Sequence, residues 1–432
     1  MGIFTCFGNG SDIGGCSPVY YEPTAIFHVS LCGRAQTGSL EQAEAVCKTA
    51  GLRHRSDDSS TSSGHSTQFS EEKSASKRRS TISDDRESGH CSDSDANDTD
   101  GISNDLEVEE QEEDYEDVEI ADLKTVATLG VGGFGRVNLV KHFDSEKVFA
   151  LKILNKAHVK EMNQQEHVLN ERDILTSCKS DFIVRLYKTY RDPERLYMLL
   201  EYCPGGEVWT MLRNWGRFDE VTSRYYCAAA LEAFDYLHRR FIIYRDLKPE
   251  NMLLDKNGFP KLADFGFAKQ LKTEGARTWT FCGTAEYVAP EIILNKGQDT
   301  AVDIWSLGIF MYELISGSPP FASTDPMHTY NSILKGVQML SWPRFMTETA
   351  KALICKFCRR DPTQRLGYGR IEDARRDPWF NGFDFVAFRN HTMRAPIRPK
   401  VRSLTDTQNF DRYPSTDNFA TGVDESGWDS NF

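Results

Sequence analysis

The sequence predicts an α+β chain with two lobes, a small β-rich N-lobe and a larger helical C-lobe. Three observations carry that prediction. Strand-like apolar runs come first, among them Phe149–Leu154 and Leu196–Tyr202. Apolar residues at helical spacing come afterwards, over Tyr225–Arg239, Ile304–Ile315 and Ala350–Phe357. Neither pattern starts before about Ile120, so the lobes are expected to follow a mostly disordered N-terminal region. A cleft between two such lobes is where a ligand is expected to lie.

At 432 residues the chain is long enough for two or three domains. Four stretches are expected: an N-terminal segment over 1–54, a Ser-rich acidic linker over 55–117, a folded domain over 118–380 and a C-terminal tail over 381–432. The net charge of −13 speaks against nucleic acid as a partner. Eleven cysteines without framework spacing read as reduced thiols of a cytoplasmic protein. Cys355-Lys356-Phe357-Cys358 has no second pair to complete a zinc site and reads as two buried helix thiols. No apolar run reaches the length of a membrane span, and no secretory core follows Met1.

At the start, Gly2 is available once Met1 is removed, and Cys6 is a candidate for S-acylation, although Cys6 stands where the myristoylation pattern has Ser or Thr. One acyl chain gives only weak membrane association. A strand over Thr24–Leu31 and a short helix over Leu40–Ala50 are expected next. From Arg55 to Asp117 the composition cannot bury enough apolar surface to offset ordering entropy. Within it, Lys77-Arg78-Arg79 precedes the hydroxyls of Ser80 and Thr81, followed by Ile82. That cluster reads as a solvated basic patch, an import signal or an autophosphorylation site.

The folded domain opens on a glycine-rich stretch running from Leu129 through Gly130, Val131, Gly132, Gly133, Phe134, Gly135 and Arg136 to Val137. Glycines at the first, third and sixth places of G-x-G-x-x-G let backbone amides approach phosphate oxygens. A dinucleotide-binding turn has the same glycines but needs a helix at once. Val137–Val140 reads as a strand, so a hairpin is predicted. Lys152 then sits alone among apolar residues of a strand, where it is costly unless paired. Glu171, in the helical segment that follows, is the expected partner.

The densest chemistry lies in Tyr244-Arg245-Asp246-Leu247-Lys248-Pro249-Glu250-Asn251. A carboxylate, an ammonium and a carboxamide stand together there, and Asp264-Phe265-Gly266 adds a second carboxylate. A general base at Asp246, a counter-charge at Lys248 and hard oxygen ligands at Asn251 and Asp264 suit phosphoryl transfer to a hydroxyl with Mg²⁺.

With Thr280-Phe281-Cys282-Gly283-Thr284 and Ala289-Pro290-Glu291 added, the chain resembles the eukaryotic serine/threonine protein kinases. Tyr244, the Thr280–Thr284 string, Asn409-Phe410-Asp411 and the terminal Gly427-Trp428-Asp429-Ser430-Asn431-Phe432 resemble the AGC group, and within it the cyclic-GMP-dependent kinases. The likeness covers about 118–432. It implies the bilobal protein-kinase fold, ATP and Mg²⁺ as cofactors, and protein substrates with basic residues near the phosphoacceptor.

Carried onto this sequence, the resemblance implies that the glycine-rich residues, Lys152 and Glu201 hold ATP. Val137, Ala150, Leu200 and Leu253 would wall the adenine. Thr280 would be the activation-loop phosphosite, with His167, Arg245 and Lys269 as partners. Glu207, Glu250 and Glu313 would receive substrate bases, and Glu291–Arg365 would be a structural ion pair.

Two departures stand out. Ala285 replaces a Pro near the substrate, and Arg412 replaces an acid in the tail. No cyclic-nucleotide-binding domain is legible before residue 118, so direct activation by cyclic GMP is not expected. Two other readings stay open: a pseudokinase scaffold, and a cyclic-AMP-dependent type of catalytic subunit regulated by a separate chain. Physiological substrates and oligomeric state are not legible.

Overall fold

The computed structural model describes residues 118–413 and 422–432. The expectations for Gly2, Cys6, Thr24–Leu31, Leu40–Ala50, the linker, Ser80 and Thr81 lie outside the described residues.

Five antiparallel strands form the first lobe: β1 Leu123–Val131, β2 Gly135–His142, β3 Val148–Asn155, β4 Leu186–Arg191 and β5 Arg195–Glu201, in the order β1-β2-β3-β5-β4. Strand β3 explains why its sequence is a continuous apolar run. Phe149, Leu151 and Ile153 point to one face and pack with Val140, Tyr197 and Leu199. Ala150, Lys152 and Leu154 point to the other, so both faces are buried. Gly135 starts β2 so close to β3 that a Cβ there would lie 1.8 Å from the Ile153 carbonyl oxygen. Only glycine fits.

Between β3 and β4 come α1 Lys156–Glu161 and α2 Gln165–Ser177. On α2 the buried residues are Val168, Glu171, Ile174 and Leu175, a single helical stripe with one carboxylate in it.

The second lobe takes its shape from helices. Short strands β6 Gly206–Glu207, β7 Ile242–Ile243, β8 Met252–Leu254, β9 Pro260–Leu262 and β10 Lys269–Gln270 line its upper side. Helices α3 Val208–Trp215, α4 Glu220–His238, α5 Pro290–Ile293, α6 Ala301–Ser316, α7 Pro326–Lys335 and α8 Glu348–Phe357 build its mass, followed by α9 Glu372–Arg375 and α10 Phe385–Arg389. α6 is mostly apolar and buried from Ala301 to Ile315, the acids Asp303 and Glu313 included, which makes it the central helix. Its own Trp305 and Phe310 are fully buried, as are Phe234 of α4 and Phe357 of α8. Each such side chain contributes about 1.5–3 kcal/mol relative to exposure.

Several details differ from the sequence reading. α4 begins at Glu220 rather than Tyr225, because Asp219 caps it by accepting the Thr222 N–H at 2.7 Å. Its first turn is polar, so apolar spacing alone misses it. β5 ends at Glu201, one residue before Tyr202. Cys358 is buried, but it stands at the C-cap of α8, and Cys355 is only half-buried. Phe388, Ala395 and Ile397 lie beyond the expected domain edge at 380, yet they join the core of the helical lobe. No helix among the described residues is long and apolar enough to cross a membrane.

The tail then returns to the first lobe. Gly206 has φ of +73°, and a Cβ there would lie 2.5 Å from the Asn409 carbonyl oxygen, so the tail crosses directly over it. At the far end Trp428 and Phe432 pack against the cluster containing Phe134, Val159, Val168 and Met198. Trp428 donates to Asp424 at 2.7 Å, and the Arg172 guanidinium lies 5.5 Å over the Phe432 ring.

Candidate active site

Between the sheet and the helical lobe lies a cavity of about 830 Å³. Its roof is Leu129, Gly132, Gly135, Arg136 and Val137, and its floor is Leu253, Ala263, Asp264 and Phe265. Leu200, Glu201, Tyr202, Cys203 and Phe410 of the tail form the outer edge, and Lys152, Glu171, Leu175 and Val184 form the back. Apolar walls at one end and charged groups at the other suit a ligand with a flat base and an anionic tail.

Most residues expected to hold ATP line this cavity, and five do not. Gly130 and Val131 are spent pairing with Val137 and Arg136 across the hairpin, and Gly133 is exposed at its tip. Ala150 is buried in the layer behind, with Val137, Leu200 and Phe410 packed against its cluster. Phe134 turns away into a second cavity of about 450 Å³ that also meets His167 and Gln164, and its ring centroid is 5.6 Å from that of His158. The structure adds Leu175, Val184, Tyr202, Cys203, Ala263, Phe265 and Phe410. Phe410 stacks on Tyr202 at 5.8 Å.

β3 and α2 bring Lys152 and Glu171 together, with Nζ 2.6 and 2.8 Å from the two carboxylate oxygens. Asp264 Oδ1 is 3.8 Å from the same ammonium. Burial drives the Lys152 pKa down, but Glu171 and Asp264 more than offset it, leaving it above the usual lysine value. The lysine is therefore charged and faces the cleft.

Below it, Asp246 collects three donors. Thr284 donates to Oδ1 at 2.8 Å, while Lys248 and Asn251 donate to Oδ2 at 2.9 and 2.8 Å. Lys248 also reaches the Thr284 hydroxyl at 3.1 Å. Burial lowers the Lys248 pKa, but Asp246 and Glu250 outweigh it and hold it above its ordinary value. The amide of Asn251 donates as well to the Asp246 carbonyl at 2.8 Å, which spends its NH₂ group and leaves its own carbonyl oxygen for a cation. Among the described residues no three His, Cys, Asp or Glu side chains form a metal site. Asn251 and Asp264 fit a Mg²⁺ whose remaining positions belong to phosphates and water.

Two non-glycine residues here sit at positive φ, Arg245 at 68° and Asp264 at 52°. Such geometry persists only where neighbours hold it. Asp303 on α6 does so for the first, accepting the Tyr244 and Arg245 N–H groups at 2.9 and 2.8 Å and meeting His238 at 2.8 Å. Sequence reasoning missed Asp303. Its signal was a lone acid in the otherwise apolar start of α6, which must be partnered to be buried.

The expected phosphosite partners converge in part. His167 is driven below the usual histidine pKa by burial and by Arg245, with Lys269 adding to the effect, so these three groups are neighbours. Lys269 contacts Glu166 at 3.3 Å. The Thr280 hydroxyl makes no hydrogen bond among the described residues. Its carbonyl accepts from Gln298 at 2.7 Å, and Gln298 also reaches Arg245 at 3.5 Å. Gln298, also missed, thus connects the segment to Arg245.

Glu207, Glu250 and Glu313 form one acidic patch. Glu207 is pushed up to about 8 by burial, with Glu250 and Asp411 adding. Burial also raises Glu313 to about 7, against the hydrogen bond from Tyr287 and with Glu250 adding. Crowded carboxyls of this kind favour an incoming guanidinium.

Away from the cleft, Arg365 donates to both Glu291 oxygens at 2.6 and 2.7 Å, as expected. It also donates to the Ala301 carbonyl at 2.7 Å and the Arg359 carbonyl at 3.0 Å.

Comparison with known proteins gives a consistent result. Residues 123–380 match the family model described as the protein kinase domain. Over 310 residues, 71% of this chain, there is 53% identity to the cGMP-dependent protein kinase, isozyme 2 forms cD5/T2, of Drosophila melanogaster, covering 33% of that protein. The cGMP-dependent protein kinase egl-4 of Caenorhabditis elegans is 54% identical over 311 residues, 71% of this chain and 40% of its own length. The human cGMP-dependent protein kinase 2 is 51% identical over 310 residues, again 71% of this chain and 40% of its own length. The chain thus matches roughly a third to two-fifths of the length of these relatives.

Proposed function

This chain belongs to the protein kinase family, with a catalytic region of the AGC, cyclic-GMP-dependent type, and on that premise we propose that it transfers the γ-phosphate of ATP to Ser or Thr in basic sequence contexts. One observation carries the reading: Asp246, Lys248, Asn251 and Thr284 form a closed hydrogen-bonded group close enough for Lys248 to feel the charge of Asp264, and Asp264 is part of the floor of the cleft roofed by the glycine-rich hairpin.

Asp246 accepts hydrogen bonds at both oxygens, so it is held in place to orient a substrate hydroxyl and take its proton. Lys248 lies beside it as the cation facing the phosphoryl oxygens, and Lys152, fixed by Glu171, faces the other phosphates. Mg²⁺, when bound at Asn251 and Asp264, supplies charge neutralisation. The complete set of these side chains argues against a pseudokinase scaffold.

The acidic patch supports the basic preference, since a guanidinium placed among Glu207, Glu250 and Glu313 removes the cost of their burial. Ser80 and Thr81, preceded by Lys77-Arg78-Arg79, match the same preference and are proposed autophosphorylation sites. Thr280 is the proposed activation-loop site. Cytoplasmic residence with weak membrane association through Gly2 or Cys6 is also proposed. Activity independent of cyclic GMP is also proposed.

An oriented peptide library with Mg-ATP, run with and without cyclic GMP, tests it. Selection of Arg at positions before the acceptor, unchanged by the nucleotide, is expected. Selection of acidic or Pro-flanked acceptors overturns the specificity.

A further inference from the structure

The tail between its two anchor points carries an exposed hydroxyl in a basic setting, Arg398-Pro399-Lys400-Val401-Arg402-Ser403-Leu404. Arg398, Lys400, Arg402 and Ser403 are all exposed, in a run without helix or strand, and Leu404 is 59% exposed. Bases at one, three and five residues before a serine, with a free apolar side chain after it, are what an acidic substrate patch would select. We propose that Ser403 is a phosphoacceptor for this enzyme acting on a second copy of the chain, and that the phosphate loosens the tail's hold on the nucleotide cleft. The first half of this inference rests on the basic-site reading above.

Anchoring makes the reaction intermolecular. On one side Ala395 and Ile397 are buried in the helical lobe, and Gly258 lies so close that a Cβ there would sit 2.0 Å from the Ile397 carbonyl oxygen. On the other, Asn409 donates to the Pro204 carbonyl at 2.9 Å, and Phe410 stacks on Tyr202. Ser403 cannot enter its own cleft unless one of these anchors is undone. A second copy needs only the exposed segment. In that encounter the Ser403 oxygen attacks the γ-phosphorus of ATP held by the other copy. A P–O bond to serine forms, the bond to the β,γ-bridging oxygen breaks, ADP leaves, and the serine proton passes to the carboxylate of Asp246.

The consequence follows from a turn. Ser403 accepts the Asp406 N–H at 3.1 Å, and its hydroxyl is 3.4 Å from that of Thr405. The Asp406 carboxylate ties the turn by accepting the Arg402 N–H at 2.7 Å and the Gln408 N–H at 3.0 Å. Its carbonyl accepts the Tyr202 hydroxyl at 2.6 Å, next to the ring that Phe410 covers. A phosphate of charge about −1.5 to −2 on Ser403 repels that carboxylate. Arg402 is then drawn to the phosphate, the turn opens, and Phe410 is less firmly held at the cavity edge.

The test uses full-length chains. An inactive Asp246→Asn copy, and separately an inactive Asp264→Asn copy, is incubated with a small amount of wild-type chain, Mg-ATP and an Arg-rich reporter peptide. Phosphate on Ser403 of the inactive copy, rising with wild-type concentration and absent when Ser403→Ala is added, is expected. A phosphorylated reporter beside a bare Ser403 overturns the proposal alone, whereas a silent reporter overturns the proposed function as well. For the consequence, Ser403→Asp should raise the KM for ATP about threefold or more over Ser403→Ala, with the peptide KM unchanged. Equal values for ATP overturn the link to Phe410.

Discussion

Two buried ion pairs, one in each lobe, have almost the same geometry and opposite uses. Arg365–Glu291 and Lys152–Glu171 both close at 2.6 Å. Arg365 is fully enclosed: beyond the carboxylate it bonds two carbonyls and lies 5.2 Å from the Trp305 ring centre. Lys152 bonds only its glutamate closely, stands 3.8 Å from Asp264 and lines the cavity. A charge whose hydrogen bonds are all spent on the protein can only hold structure. One with capacity left over, held in place by a partner, can meet a ligand. The planar guanidinium suits the first use and the compact ammonium the second.

That contrast breaks if the two pairs respond alike to mutation. Arg365→Ala leaves Glu291 buried and unpaired, so it should cost about 3–5 kcal/mol of stability. Thermal unfolding should show Tm lower by roughly 10 °C, and any lost activity should follow the lost folded fraction. Lys152→Met also leaves a buried glutamate unpaired, Glu171, but its effect should not be confined to stability. Turnover per folded molecule should fall about a hundredfold or more, equivalent to about 2.7 kcal/mol of barrier, beyond anything the lost folded fraction explains.

A smaller effect sharpens the comparison from outside the pairs. Arg245 is bonded to the Phe267 carbonyl at 2.7 Å but only distantly to Gln298, so it too has capacity left for a phosphate. Thr280→Ala should lower turnover about tenfold, or about 1.4 kcal/mol. A homogeneous unphosphorylated preparation with full turnover contradicts this role.

The smallest effect concerns pH. Glu207 and Glu313, raised to about 8 and about 7, bind protons more tightly when folded than when unfolded. Their contribution to stability is therefore complete below the unfolded value and fades as pH rises through these folded values. Arg binds the ionised form, so peptide binding releases protons, and the KM for an Arg peptide should fall severalfold between pH 6 and pH 8. Glu207→Gln should flatten the upper part of that profile, and an unchanged slope in the variant removes Glu207 from the substrate site.

The residues most legible in the sequence were those whose chemistry requires short, fixed spacing. Asp246, Lys248 and Asn251 lie within six positions, and so do the G-x-G-x-x-G glycines from Gly130 to Gly135, so local pattern alone placed them. Lys152 with Glu171 was legible because a buried lysine needs a partner. Less legible were the groups that only tertiary structure brings in: Asp303 under the Tyr244 and Arg245 amides, Gln298 behind Thr280, and Phe410 arriving from the tail. Helix starts were misread for a related reason. Caps such as Asp219 are polar and precede the apolar spacing that announces the helix.

The most direct measurement is transfer of radiolabelled γ-phosphate from Mg-ATP to an Arg-Arg-x-Ser peptide by the full chain, beside its Asp246→Asn and Asp264→Ala variants. Steady transfer by the parent, lower by at least about a thousandfold in both variants, is the predicted result. A folded parent chain that transfers no phosphate, or variants that match it, contradicts the assignment of this cleft.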